Sequence, residues 1–454
     1  MVLIKSISGI RGTLENIPGQ SLSDYDIKQF TLAYIQEIIR KQPSNVILVG
    51  RDARESGERI SNIIKEVVSN EGLDVIDLGL VTTPTIGIGV KKLNAAGGIM
   101  ISASHNDERW NALKLLNSDG EFLHPKDVQL VIKEETREAS QGQNVGNISS
   151  YEKALDDHIN IVLSQDFIDI DSIKAKSFSV AVDGINSVGG IAVPRFLERI
   201  GINKIHKINC EPDGKFNHNP EPLPENITHI CSEIKKGNFD FGVVVDPDAD
   251  RLCLVDENGI PFGEEYTLVA AAEYVLSHNK GSSSCSNLSS SLALKKITEG
   301  YGGKYYSSAV GEINVVEKMK QNSCLVGGEG NGGVIYPETH YGRDSLIGLA
   351  LIISLLDEKN ISLSQLKKQL PEYHIFKQKM SYSGKLSKVI SVFKSLYPKD
   401  QIDTTDGIKI NLIDSWVHIR KSNTEPVIRV ISEAQSLNYA KKISKEIISK
   451  LHLI

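Results

Sequence analysis

A chain of 454 residues has room for about three domains at roughly 150 residues each, and 40% hydrophobic with 24% charged residues fits a globular protein. A net charge of −6 without a Lys/Arg block argues against nucleic acid or a membrane surface as partner. Apolar stretches such as Leu346–Leu356 are too short to span a bilayer, and residues 1–20 lack an apolar signal core. Five scattered cysteines (Cys210, Cys231, Cys253, Cys285, Cys324) lack Cys-x-x-Cys spacing, which reads as buried reduced thiols in a cytoplasmic protein.

Ser23 can cap a first helix with Ile27, Phe30, Tyr34 and Ile38 on one face. Short apolar strands follow at Val46–Val49, Val75–Leu78, Ile99–Ile101, Ser179–Val182, Gly242–Val245 and Leu252–Val255, alternating with amphipathic stretches. That alternation predicts α/β layers rich in parallel strands. Three polar stretches read as boundaries or loops: Glu135–Ser150, Glu211–Pro224 and the Ser-rich Asn279–Ser291. After Pro371 come antiparallel-looking strands (Gly407–Ile413, Trp416–Ile419, Val427–Ser432). A helix capped by Ser436 follows, with Leu437, Ala440, Ile443, Ile447 and Leu451 inward. The expected fold is three similar α/β mixed-sheet domains followed by a smaller α+β C-terminal domain. The expected boundaries are 1–150, 151–251, 252–373 and 374–454.

Four segments can carry chemistry. In Phe241–Val255 (FGVVVDPDADRLCLV), a strand delivers Asp246, Asp248 and Asp250 at alternate positions, with Arg251 next. Three carboxylates so close repel unless a hard cation neutralises them, which suits Mg²⁺ or Ca²⁺. An EF-hand is excluded by Arg251 at loop position six and by strand flanks. In Gly97–Lys114, a strand ends in Ser102-Ala103-Ser104-His105-Asn106, with Lys114 further on. Alone, Ser104 reads as an ordinary capping serine, and the G-x-S-x-G elbow of a hydrolase is missing.

The third segment, Trp416–Val430, brackets a turn carrying Arg420, Lys421, Ser422, Asn423 and Thr424, with Arg429 on the returning strand. Guanidinium forks, hydroxyls and turn N–H groups on one loop make a phosphate cradle. The fourth, Val326–Gly333 (VGGEGNGG), sets Glu329 and Asn331 among glycines, able to bind vicinal hydroxyls, with Tyr341-Gly342-Arg343-Asp344 beyond. It is not a P-loop, since no Lys-Ser/Thr follows.

Together the four segments resemble the α-D-phosphohexomutase family, from the N-terminus nearly to the end. Ser102–Asp107 match its phosphoserine loop, with Asp107 replacing proline, and Asp246–Arg251 match its D-x-D-x-D-R metal loop. Gly328–Gly333 fall on its sugar loop and Arg420–Pro426 on its phosphate loop, with Lys421 replacing proline. Ser8–Thr13 and Gly50–Arg54 look like first-domain segments. The resemblance implies four domains around a central cleft, a phosphoserine at Ser104, and Mg²⁺ held by Asp246, Asp248 and Asp250 with a phosphoryl oxygen on Ser104. It implies Arg11, His105 and Lys114 assisting proton transfer, with Lys114 the better acid/base because arginine scarcely deprotonates. It further implies substrate contacts by Arg251, Glu329, Asn331, Arg420, Ser422, Asn423, Thr424 and Arg429. The expected reaction interconverts 6-phospho and 1-phospho sugars through a sugar 1,6-bisphosphate, with a hinge near Pro371–His374 closing the cleft.

The run VIYPETHYGRD is most similar to the phosphoglucosamine mutase branch, so glucosamine phosphate is the expected substrate. A phosphoglucomutase/phosphomannomutase is the runner-up. A metal-dependent sugar phosphatase and a catalytically silent sugar-phosphate-binding protein remain as other classes. The expected partner is a small sugar phosphate, bound by a monomer or homodimer.

Overall fold

The computed structural model describes every residue except 8, 134–135, 140–143, 383, 422–426 and 453–454. The chain divides into two units, Met1–Thr267 with Asn331–Leu366, and Leu268–Gly330 with Lys367–Ile454.

The first unit carries two sheets. The larger runs in the order Leu3–Ser6, Gly9–Thr13, Trp110–Leu116, Gly97–Ile101, Val46–Arg51, Asp74–Leu80, Ile148–Ser150. Its middle strand, Gly97–Ile101, is buried throughout because helices cover both faces. Ser23 caps helix Asp24–Glu37 as expected, and Ile27, Phe30 and Tyr34 face the core. Tyr34 reaches through that core to donate to the Leu116 carbonyl at 2.5 Å. A side chain at Gly97 would collide with the Tyr34 hydroxyl, so the glycine is a packing requirement.

The second sheet runs Leu252–Asp256, Phe241–Val245, Ser179–Asp183, Lys204–Ile208. Leu252–Asp256 pairs antiparallel with Phe241–Val245, so the boundary expected between 251 and 252 falls inside a hairpin. Glu211–Pro224 is the irregular loop expected from its composition. It is nonetheless tied down: Gly214 N–H donates to the Asn186 carbonyl at 2.9 Å, and the Phe216 ring lies 5.0 Å from the Arg54 guanidinium.

In the second unit, Tyr305–Ser308, Ser284–Asn287 and Val326–Glu329 pair in parallel. The Ser-rich stretch Asn279–Ser291 therefore contains a buried central strand. Its serines are tolerated there because their hydroxyls are satisfied: Ser284 bonds Thr298 at 2.5 Å and Ser286 bonds Tyr305 at 2.9 Å. The C-terminal part is a five-stranded antiparallel sheet, His374–Ser381, Val427–Ala434, Ser415–Lys421, Ile408–Leu412, Ile402–Asp403. Helix Leu437–Leu451 packs on it through Ala440, Ile443, Ile447 and Leu451. Polar bonds, one of them buried and two half-buried, tie this sheet to the turn after Ser284–Asn287. Lys409 donates to the Leu288 carbonyl, His418 meets Ser289, and Glu433 accepts from Leu292 N–H. Rotation about 371–374 must break these bonds.

Candidate active site

The loop after strand Gly97–Ile101 places Ser104 in left-handed backbone (φ +50°), a conformation that needs outside support. Arg54, itself fully buried, supplies it. Its guanidinium pairs with Asp52 and donates to the carbonyls of Ser104 (2.7 Å) and Asn106. Arg11 holds the Asn106 side chain at 2.6 Å. The Ser104 hydroxyl then donates to Asp246 Oδ2 at 2.6 Å, across 142 residues of chain. Ser104 is not a helix cap, because the turn it opens leads into strand Trp110–Leu116 and not into a helix. His105 Nδ1 is buried without a hydrogen-bond partner, so it does not serve the Ser104 hydroxyl as a base in this arrangement. Arg251, burial, Arg11, Arg343 and Lys114 together push His105 down to about 2, which keeps it neutral.

Asp246 follows strand Phe241–Val245, and the loop it opens is gripped from several sides. Thr83 N–H donates to the Asp248 carbonyl at 3.0 Å, Ser187 to that of Pro247 at 2.6 Å, and Ser345 to that of Ala249 at 2.7 Å. The side chains of Asp246, Asp248 and Asp250 are wholly buried, and one oxygen from each lies within 4.8 Å of the others. Lys114 binds Asp248 and lies 3.6 Å from Asp250, Thr83 also donates to Asp248, and Arg343 binds Asp250 at 2.6 Å. Burial would raise Asp248, but Lys114, Thr83 and Arg343 outweigh it and hold it well below the carboxylate range. Asp246 has no such ammonium: burial and the two neighbouring carboxylates push it up to about 7.

Asp248 Oδ1 and Asp250 Oδ1 are buried and accept no hydrogen bond. An orphaned carboxylate oxygen in the interior is costly, and two beside a third carboxylate fit a hard divalent cation. All three are oxygen donors, which excludes a preference for soft metals.

In the second unit, Glu329 ends strand Val326–Glu329, and its Oε1 accepts from Asn287 Nδ2 at 2.9 Å and Gly311 N–H at 3.1 Å. Arg420 and Arg429 sit directly opposite one another on paired strands. The Nε atoms of both are buried without hydrogen-bond partners, and Arg420 lies 3.3 Å from Asp406. Like charges facing across strands destabilise a sheet unless an anion joins them. Ser422, Asn423 and Thr424 lie outside the described residues. Asn331 is in the first unit, where its Oδ1 accepts from Gly333 N–H at 3.3 Å.

Arg54, Thr83, Asn287 and Arg343 have roles in the site that their places in the sequence do not announce. Arg54 and Arg343 lay inside segments already singled out. Thr83 and Asn287 carried only a helix-start signal and a serine-rich context, neither of which points to a ligand.

A strained serine bonded to a buried aspartate triad, with cations around both, defines a site for phosphoryl chemistry. Four models of the phosphoglucomutase/phosphomannomutase family match the chain: alpha/beta/alpha domains I (residues 4–142), II (156–259) and III (263–373), and the C-terminal domain (376–450). The chain belongs to this family of phosphohexomutases, which are intramolecular phosphotransferases. It is 34% identical over 410 residues to a phosphoglucomutase/phosphomannomutase of Thermococcus kodakarensis, covering 89% of this chain and 88% of that one. It is 31% identical to a phosphoglucosamine/phosphogalactosamine mutase of Sulfurisphaera tokodaii, covering 88% and 90%. Its fold matches a crystal structure of a phosphoglucomutase/phosphomannomutase family protein from Burkholderia thailandensis (TM-score 0.83, 23% identity, 99% and 98% covered). Among the described residues, no helix is long and apolar enough to cross a membrane.

Proposed function

We propose that the protein interconverts glucosamine 6-phosphate and glucosamine 1-phosphate through a phosphoserine at Ser104 and glucosamine 1,6-bisphosphate. The observation that carries this reading is the Ser104 hydroxyl held 2.6 Å from Asp246 inside the triad. Asp246, Asp248 and Asp250 would hold Mg²⁺ together with an oxygen of the Ser104 phosphate. Bound there, the cation supplies neutralisation of charge on the transferring phosphoryl group.

In the forward step the bond from phosphorus to the Ser104 oxygen breaks and a bond to the free sugar hydroxyl forms. The serine oxygen takes a proton from Lys114, and the proton given up by the sugar hydroxyl restores Lys114, so that in net the proton passes from the sugar to Ser104. Burial would lower Lys114, yet Asp248 and Asp250 raise it, so it enters as a charged donor to the departing serine oxygen. Arg11 and Arg251 add positive charge beside the phosphoserine. Arg420 and Arg429, with Ser422, Asn423 and Thr424, receive the phosphate that stays on the sugar. Glu329 and Asn331 would hold ring hydroxyls in either orientation of the bisphosphate. The protein would act in a reducing cytoplasm as a monomer or homodimer, and no disulfide among the described residues speaks against that.

Glucosamine as the sugar is supported by the run VIYPETHYGRD and by the name of the Sulfurisphaera relative. The Thermococcus relative favours a second reading, glucose or mannose phosphate. A coupled assay with the three 6-phosphates decides: glucosamine 6-phosphate should have the highest kcat/KM. A higher value for glucose or mannose 6-phosphate installs the second reading.

The raised value of Asp246 sets a pH dependence. Without a cation the folded loop keeps the Asp246 proton up to about pH 7, and cation binding must expel it. Affinity for Mg²⁺ should fall about tenfold per pH unit below 7 and level off above it. Calorimetric titration at pH 6 and 8 in buffers of different ionisation enthalpy should detect the released proton. Equal affinity at both pH values contradicts the assignment.

A further inference from the structure

His158, on helix Ala154–Leu163, is fully buried between two helix N-termini that both reach the carboxylate loop. Its Nδ1 lies 2.9 Å from the Thr85 hydroxyl, itself 2.7 Å from that of Thr82, the N-cap of helix Thr83–Lys92. Its Nε2 lies 2.8 Å from Oδ2 of Asp344, the N-cap of helix Ser345–Lys359. The other Asp344 oxygen accepts from Leu346 N–H at 2.8 Å. Residues adjoining these two caps are among those that grip the loop. Thr83 binds Asp248 by backbone and hydroxyl, Arg343 binds Asp250, and Ser345 binds the Ala249 carbonyl.

We propose that His158 and Asp344 are positioning residues that set the separation of Asp248 and Asp250, and so the bite the triad offers a divalent cation. The proposal rests on the reading of the triad as the Mg²⁺ site. The imidazole is the strut between two caps that come from distant parts of the chain. Both partners are fully buried, so a lost bond leaves a polar group unsatisfied in the interior. His340 stands 3.5 Å from the same Asp344 oxygen but has no bond to Thr85, so it cannot link the two caps. Removing the strut frees the N-terminus of either helix to shift, carrying Thr83 or Arg343 with it. A carboxylate pair whose grips have shifted binds a small cation poorly, because Mg²⁺ tolerates little departure from octahedral geometry.

Two amide variants separate the two ends of the strut. In His158→Gln the side-chain nitrogen can stand where Nε2 stands, keeping the bond to Asp344. In His158→Asn the shorter amide reaches Thr85 but not Asp344. With Mn²⁺ as probe, read by the electron paramagnetic resonance signal of the free ion, His158→Asn should bind about tenfold more weakly or worse, and His158→Gln within about threefold of wild type. A folded His158→Asn chain with wild-type Mn²⁺ affinity overturns the proposal. So does equal weakening in both variants, which is what a merely structural histidine would give. Should His158→Asn not fold, the near-isosteric Asp344→Asn decides. Its Oδ1 can still accept from Leu346 N–H while the carboxylate oxygen facing His158 is replaced, so it should weaken Mn²⁺ binding in the same sense, and unchanged affinity overturns the proposal. Wild type and Asp248→Asn are run alongside. Binding by the first and loss in the second show that the metal assignment stands whatever the His158 variants do. No Mn²⁺ binding by wild type overturns both.

Discussion

Ser104→Ala is expected to lower mutase turnover by about four orders of magnitude or more, equivalent to about 5 kcal/mol of transition-state stabilisation. The variant has no oxygen to carry the phosphoryl group between the two sugar positions, and the alternative acceptor, water, yields phosphate and no isomer. The fold should survive. The Ser104 hydroxyl contributes one hydrogen bond to a carboxylate, so its loss costs about 1–3 kcal/mol in a chain with several large cores. Alanine also tolerates the left-handed backbone no worse than serine does. Steady-state kinetics with thermal unfolding measures both quantities, and turnover near the wild-type rate would remove Ser104 from the chemistry.

Asp248→Asn is expected to lower transfer by about a thousandfold while leaving KM for the sugar phosphate within about threefold. The amide keeps the size of the side chain and one acceptor oxygen for Thr83. It loses the charge that pairs with Lys114 and one anionic oxygen of the triad. Lys114 is then left buried with Asp250 at 3.6 Å as its nearby carboxylate, so stability should fall by about 1–3 kcal/mol, less than full removal of a buried partner costs. A defect confined to KM would move Asp248 from the phosphoryl group to the sugar.

The aspartate triad was legible because its chemistry is local: three carboxylates on alternate residues after an apolar strand already state a metal problem. Ser104 was legible only in company. Its strained φ and its partners come from Arg54 and Asp246, and alone it read as a cap. The strut at His158 was invisible, because Thr85, His158 and Asp344 are each unremarkable on a helix and meet only in the fold. The Ser-rich strand Ser284–Asn287 misled for a related reason. Hydroxyl-rich segments read as loops unless the partners that satisfy them, here Thr298 and Tyr305, are known. The boundary at 251 failed because an acidic turn between two strands looks the same whether it ends a domain or turns a hairpin.

The central claim is that Ser104 carries the phosphoryl group and returns it to a sugar. Wild-type protein incubated with a hexose 1,6-bisphosphate, then analysed by intact-mass and peptide mass spectrometry, tests it directly. One phosphoryl group on Ser104, discharged onto added hexose monophosphate, is the predicted result. An active enzyme without phosphate on Ser104, or a phosphorylated Ser104 that discharges only to water, would contradict it.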